Sequence, residues 1–179
     1  MPKRLEEREI FKTKLFIIKD VTLQFGKKKV SRQILKKPDS VLIVPLTDDG
    51  NLILINEYMT ATDEYQLDVP GGRIDDNENP KKTAKRELEE EIGYKASKID
   101  KLGMFTMSPG YLTQKTHAFL TRGLAKGKRG GDEDEELELV EYPFADFETL
   151  IKKGKISEAR AIAALYMAKN FLENEKKKK

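Results

Sequence analysis

Residues 72–94 read GRIDDNENPKKTAKRELEEEIGY and form the most constrained stretch of the chain. Gly72, Glu78, Arg86, Glu87, Glu90, Glu91 and Gly93 stand there in the order G-x5-E-x7-R-E-x2-E-E-x-G. On an α-helix, at about 100° per residue, Glu87, Glu90 and Glu91 fall at i, i+3 and i+4 and share one narrow face. Like charges at those spacings repel and weaken an isolated helix. A Glu-rich run in a Lys-rich protein is ordinarily a solvated helix face. Seven fixed letters in this order, however, arise by chance on the order of once in 10⁵ chains of this length. The stripe makes sense if a divalent cation sits among the carboxylates, whose oxygens hard ions such as Mg²⁺ prefer. Arg86 lies roughly 100° further round the helix and is expected to point away from the glutamates.

Working outward, Asn79-Pro80 should start this helix and Gly93 should stop it. Ala84, Leu88 and Ile92 make an apolar stripe beside the acidic one, so the helix can pack on a sheet and still present its glutamates. Just upstream, Pro70-Gly71-Gly72 offers two positions without a Cβ, where backbone can approach a ligand or another element closely. TATDEYQLD before it reads as a polar loop. SVLIVPLT from Ser40 is a continuous apolar run typical of a buried strand. Asp48-Asp49-Gly50 is a hairpin turn into the strand NLILINEY. The first forty residues read as short strands around Phe25-Gly26-Lys27. Downstream, KLGMFTMS, KTHAFLTRGL and LELVEYPF read as strands, with Pro109-Gly110-Tyr111 as a turn and an acidic run at Asp132–Glu136. FADFETLIKKG and SEARAIAALYMAKNFL read as helices, the second with Ala159, Ile162, Ala163, Tyr166 and Met167 on its apolar face. Strands interrupted by one central helix and ending in helices predict an α/β sandwich with a mixed sheet.

With 179 residues, one domain with a proper core is expected. No run of eighteen apolar residues exists, and MPKRLEEREIFK lacks the apolar stretch of a signal peptide. Cysteine is absent, so there is neither a disulfide framework nor a thiol nucleophile. A single histidine, His117, excludes a zinc site built on several imidazoles, and its place on a strand suggests a structural role. The net charge of +3 is small beside 34 basic and 31 acidic residues, so neither nucleic acid nor membrane is expected as a partner. A cytoplasmic enzyme fits this composition.

At the 72–94 motif the sequence resembles the Nudix hydrolases, whose signature box has that pattern followed by one more aliphatic residue. Tyr94 stands at that last position, a departure that touches helix packing rather than metal binding. The resemblance implies a Nudix fold, an α/β/α sandwich with a mixed β-sheet, preceded here by an N-terminal antiparallel β segment. It divides the chain into an N-terminal β segment (1–38), a hydrolase domain (39–173) and a disordered Lys-rich tail (174–179). It also implies hydrolysis of a nucleoside diphosphate linked to another moiety, with Mg²⁺ (Mn²⁺ as a substitute) bound by the box carboxylates.

Glu87, Glu90 and Glu91 are the expected metal ligands, and Glu90 and Arg86 are placed in the catalytic set. Glu78 and Arg86 support the ligands, Arg86 by orienting a box glutamate such as Glu78 through bidentate hydrogen bonds, while Gly72 and Gly93 shape the box. The Gly71 carbonyl either adds a metal ligand or belongs to a turn glycine. By resemblance, Glu133 would activate the attacking water and Glu135 would reach a metal ion. Outside the box, several features resemble the ADP-ribose pyrophosphatase and ADP compounds hydrolase subgroup. LDVPGG occupies the place of its E-L-P-A-G, with Asp68 for the usual Glu. Pro109, in MSPGY, lies close to its marker proline, and ISEARAIAAL resembles its C-terminal helix. INEYM resembles a strand ending in R-x-Y-R, but Asn56 and Met59 replace both arginines. Tyr58 and Tyr111 could stack on a base or ribose, or be ordinary half-buried tyrosines. Expected substrates are ADP-ribose or related ADP-linked compounds. Alternatives are other nucleoside diphosphate sugars such as GDP-mannose, dinucleoside polyphosphates, or a non-catalytic nucleotide-sensing role. Enzymes of this subgroup are dimers that exchange N-terminal strands, which makes a homodimer the expectation.

Overall fold

Strand β4 (Ser40–Pro45) is buried along its whole length, as an uninterrupted apolar run with helices on both faces should be. It pairs in parallel with β9 (Thr116–Lys126), Ser40 opposite Thr116 through Pro45 opposite Thr121, and antiparallel with β7 (Gly71–Arg73). With β8 (Tyr94–Phe105) the order is β7-β4-β9-β8, a mixed sheet. A second sheet has the order β10-β5-β6, from β10 (Glu138–Pro143), β5 (Asn51–Met59) and β6 (Glu64–Asp68). A third, β1-β2-β3, is an antiparallel meander of β1 (Lys3–Lys12), β2 (Ile17–Phe25) and β3 (Lys28–Lys36). The helices are α1 (Pro80–Ile92), α2 (Phe147–Lys152) and α3 (Ala159–Lys177). This computed structural model describes residues 1–127, 130 and 137–178. Their contacts form two units: Met1–Asp39 with Phe105–Lys115, and Ser40–Met104 with the chain from Thr116 onward.

In the larger unit the alternation of strand side chains separates two layers. Val41, Ile43 and Phe119 join Ala84, Leu88 and Ile92 of α1 in one buried cluster that also takes in Ile53 and Ile55. Each fully buried Leu or Ile there contributes about 1.5–3 kcal/mol. Leu42, Val44, Ala118 and Leu120 point to the other face, where α3 packs on β4 and β9. The expected α/β/α sandwich is what forms. Tyr94 packs partly buried against the α1 cluster, as its place at the end of the box requires.

Several elements differ from expectation. TATDEYQLD is not all loop: its second half is β6, with Ile55 opposite Asp68 and Tyr58 opposite Tyr65, and Asp63 turns the hairpin at φ 59°. Pairing to β5 satisfies its backbone, which a polar composition alone does not reveal. The Asp48-Asp49-Gly50 turn forms, but it leads from one sheet to another, bridged at Leu46 and Leu52. On α3 the buried residues are Ala161, Ala164, Leu165 and Ala168 rather than the expected stripe, and Tyr166 is exposed. Small alanines let the helix axis come close to the sheet, and the bulkier residues then flank the contact. The helix also runs on through Lys177, so most of the expected tail is its last turns. Arg122 Nη1 and Lys98 Nζ donate to Glu175 there, at 2.6 and 3.1 Å, and the lysines suit the helix C-terminus.

In the smaller unit Gly26, at φ 58°, occupies the first position of the two-residue β2–β3 turn, which needs a residue free to take positive φ. Every residue of β1 is exposed, Leu5, Ile10 and Phe11 among them. The Pro109-Gly110-Tyr111 turn belongs to this unit. Tyr111 and Leu112 donate backbone N–H groups to the Ser108 carbonyl, and Tyr111 O accepts from Leu35 N at 2.7 Å.

Candidate active site

Helix α1 starts where Asn79 accepts a hydrogen bond from Lys81 N at 2.9 Å, with Pro80 in the first turn. It ends at Gly93 in the left-handed region, φ 72°, donating to Leu88 O and Glu89 O. Between these caps Glu87 and Glu91 are held one turn apart, 7% and 9% exposed, while Glu90 is half-buried. Two carboxylates of one sign do not reach such burial one turn apart for packing alone, since each is strongly solvated when free.

Strand β7 covers them. The Gly71 N–H donates to Glu91 Oε2 at 2.9 Å. A Cβ on Gly72 would overlap the Glu87 carboxylate, and one on Gly71 would overlap the Val41 carbonyl. Both glycines are thus required by contact distance: Gly71 for the β4 pairing, Gly72 for the room that Glu87 uses. The Gly71 contact runs through its N–H.

Arg86 departs from its expected direction. Its guanidinium does not point away; Nη1 donates to Glu90 Oε2 at 2.7 Å, and Nη2 meets Glu87 Oε1 at 2.8 Å and Glu78 Oε2 at 3.3 Å. Nη2 also donates to the Arg73 carbonyl at 3.2 Å. The 100° per residue fixes where the Cβ points, whereas a long, flexible arginine brings its planar fork back over the neighbouring turn. Burial alone would lower its pKa, but Glu90, Glu78 and Glu87 raise it, so the guanidinium stays charged. Burial works against the Glu78 carboxylate, yet Thr83 and Arg86 hold its pKa below the ordinary range. Arg86 meets Glu78 through a single Nη2–Oε2 contact rather than a bidentate fork, together with two contacts that helix geometry did not suggest. Thr83 was missed altogether; a threonine inside the box spacing carries no sequence signal.

Among the described residues no three acidic or histidine side chains surround one point as a ready metal cage. Glu87 and Glu90 face Arg86, and Glu91 faces the Gly71 amide. The donor set nevertheless fits a divalent hard cation: carboxylate oxygens on one helix face, two of them buried, with no thiol in the chain. Glu133 and Glu135 lie outside the described residues. The chain leading toward them is tied to α1, since Gly127 N donates to Gly93 O at 2.7 Å and Gly130 N to Glu90 O at 3.4 Å.

Of the residues expected to meet substrate, Tyr58 sits at the β5–β6 hairpin, its hydroxyl donating to Asp63 and its ring 5.4 Å from that of Tyr65. Asn56 donates to Glu138 Oε2 across the β5–β10 pair at 2.8 Å, so the position that lacks an arginine serves the sheet. Asp68 is 7% exposed and accepts from Val69 N at 2.7 Å. Burial pushes its carboxyl up to about 7; the Val69 bond opposes this, and Glu158 adds to it. The raised value lies above the ordinary 3.8, so the folded state keeps a proton that the unfolded chain releases between those pH values. Stability from this group is therefore full below about pH 4 and lost as pH rises through about 7, by on the order of 4 kcal/mol. Urea unfolding of Asp68→Asn should show a flatter pH dependence than wild type and higher stability at pH 8. Parallel curves for the two proteins would show that Asp68 is ionised throughout.

The sequence profile of the NUDIX domain matches residues 36–165. The chain belongs to the Nudix family. Its Nudix box is the α1 site just described. It is 34% identical over 172 residues to the ADP-ribose pyrophosphatase of Bacillus subtilis (strain 168), covering 91% of this chain and 92% of that one. It is 33% identical over 177 residues to the ADP compounds hydrolase NudE of Escherichia coli (strain K12), covering 97% and 95%. A crystal structure of an ADP compounds hydrolase superposes with a TM-score of 0.89 at 31% identity, covering 97% of this chain and 95% of that one. The similarity thus extends over nearly the whole length of the chain. The family's reliance on divalent metal ions agrees with the donor set.

Proposed function

We propose that this Nudix hydrolase is a Mg²⁺-dependent pyrophosphohydrolase that cleaves the diphosphate of ADP-ribose or related ADP-linked compounds to AMP and a phosphorylated product. The observation that carries the reading is the pair Glu87 and Glu91, buried one turn apart beneath the Gly71-Gly72 strand. The similarity to an ADP-ribose pyrophosphatase and an ADP compounds hydrolase over more than nine-tenths of the chain supports the substrate class.

In this reading Glu87, Glu90 and Glu91 hold the metal, with Glu135 and the Gly71 carbonyl completing its ligands. When bound, Mg²⁺ (or Mn²⁺) supplies positive charge against the diphosphate oxygens and makes water more acidic. Glu133 takes the proton of the attacking water, and Arg86 keeps the box carboxylates oriented. Pro109 and Tyr111 are offered as substrate contacts, and Tyr58 as a stacking partner for the nucleotide. Asp68 belongs to this set through the turn it sets into Gly71-Gly72.

The hydrolase body spans 39–173. The segment 1–38 is offered for exchange between two copies in a homodimer; a strand with every residue exposed, including Leu5, Ile10 and Phe11, supports this. Among the described residues no helix is long and apolar enough to cross a membrane, and we place the enzyme in the cytoplasm.

A panel of ADP-ribose, other ADP-linked compounds, GDP-mannose and dinucleoside polyphosphates, assayed with and without Mg²⁺, tests the proposal. ADP-ribose or a close relative should be cleaved fastest, and only with metal. GDP-sugars turned over far faster would move the substrate class. In the same assay Glu133→Gln should slow the rate with little change in metal affinity, and an unchanged rate would place the base elsewhere.

A further inference from the structure

Thr83 has been given no part in the chemistry, yet it is fully buried on the first turns of α1, 0% exposed, with its hydroxyl on a carboxylate. Thr83 Oγ1 donates to Glu78 Oε2 at 2.9 Å, with the Asn79 carbonyl a more distant acceptor at 3.4 Å. A hydroxyl has one proton to donate, and the shorter, charge-assisted contact takes it. The same Glu78 oxygen accepts from Arg86 Nη2 at 3.3 Å. A continuous chain of contacts therefore runs from Thr83 through Glu78 to Arg86, and from Arg86 to Glu87 and Glu90.

The consequence appears when Glu87 and Glu90 turn their oxygens toward a cation. The guanidinium then loses its two shortest partners. What remains for it are the Glu78 carboxylate and the Arg73 carbonyl, both reached through Nη2. Glu78 can receive Arg86 only if its own side chain is fixed, and the buried hydroxyl is the group that fixes it. We infer that Thr83 is a positioning residue of the metal site: by pinning Glu78 it gives Arg86 a place to stand when the box glutamates bind metal. The inference rests on the pyrophosphohydrolase reading of that site.

Mn²⁺ binding to the full chain, measured by calorimetry, tests it in wild type, Thr83→Val, Thr83→Ser, Glu78→Gln and the Thr83→Val/Glu78→Gln double variant. Circular dichroism reports the fold, and Thr83→Ala replaces Thr83→Val if the valine does not fold. Thr83→Val, by freeing Glu78, and Glu78→Gln, by leaving Arg86 a neutral carboxamide in place of a carboxylate, should each weaken Mn²⁺ binding about tenfold, the usual scale for partners of metal ligands. Thr83→Ser should restore it to within about twofold of wild type, because the donor returns. The double variant should bind no more weakly than either single one, since both act through one link. Wild-type affinity in Thr83→Val, failure of Thr83→Ser to rescue, or losses that multiply in the double variant would each overturn the inference. Wild-type protein that takes up no Mn²⁺ is a different failure: it would remove the pyrophosphohydrolase reading and this inference with it.

Discussion

Glu91→Gln should lower turnover by about 10²–10³-fold and weaken metal binding, while the protein stays folded. The scale is that of losing one charged ligand from the proposed metal site, where a cation would contribute several kcal/mol of transition-state stabilisation. The fold is spared for a specific reason. Glu91 Oε2 accepts from the Gly71 N–H, and a glutamine carbonyl oxygen can accept the same bond. Replacing one buried carboxylate by a carboxamide also relieves its repulsion with Glu87 one turn away, so a melting temperature at or above wild type is expected. Steady-state kinetics with a metal titration, beside a thermal melt, separates the two effects. Near-normal turnover in Glu91→Gln would place the metal elsewhere; loss of fold would make Glu91 a structural residue.

Gly72→Ala is the second large effect, and its contrast with Gly71→Ala is the informative part. At Gly72 the added methyl meets the tip of the Glu87 side chain, which can swing aside. Stability should change by about 1 kcal/mol or less, whereas Glu87 is displaced and turnover falls by about 10²-fold, because a small misplacement of a reacting group is costly. At Gly71 the methyl meets the Val41 backbone carbonyl and the Leu42 side chain inside the β4–β7 pair. Backbone cannot step aside, and about 2–3 kcal/mol of stability should be lost with the activity. Denaturant midpoints and rates measured on both variants check this. Equal losses of stability at the two positions would mean that Gly72 serves packing rather than the Glu87 carboxylate.

The box helix was legible because several signals agree within it. Asn79-Pro80 at its start, Gly93 at its end and the Ala84-Leu88-Ile92 stripe all specify one helix, and the carboxylates follow from their spacing. Strand β4 was equally plain, because a strand covered on both faces writes itself as an apolar run. Strand β6 was not, since EYQLD owes its extended state to pairing with β5 rather than to its composition. The face of α3 was misread because two stripes of similar apolarity lie side by side on it, and only the closeness of the sheet favours the alanines. Within the site, residue spacing set Glu87, Glu90 and Glu91 along one helix but could not aim the Arg86 guanidinium or reveal the Thr83 hydroxyl. Those depend on rotamers, which a helical wheel does not contain.

The guanidinium resting on Glu87, Glu90 and Glu78 has a last consequence for the life of the protein. A resident counter-ion, built into the chain, calms the crowded anions without any inorganic one. On the proposed metal site, architecture and occupancy would be uncoupled: starvation for metal should silence such an enzyme without dismantling it, and resupply should restore it without refolding.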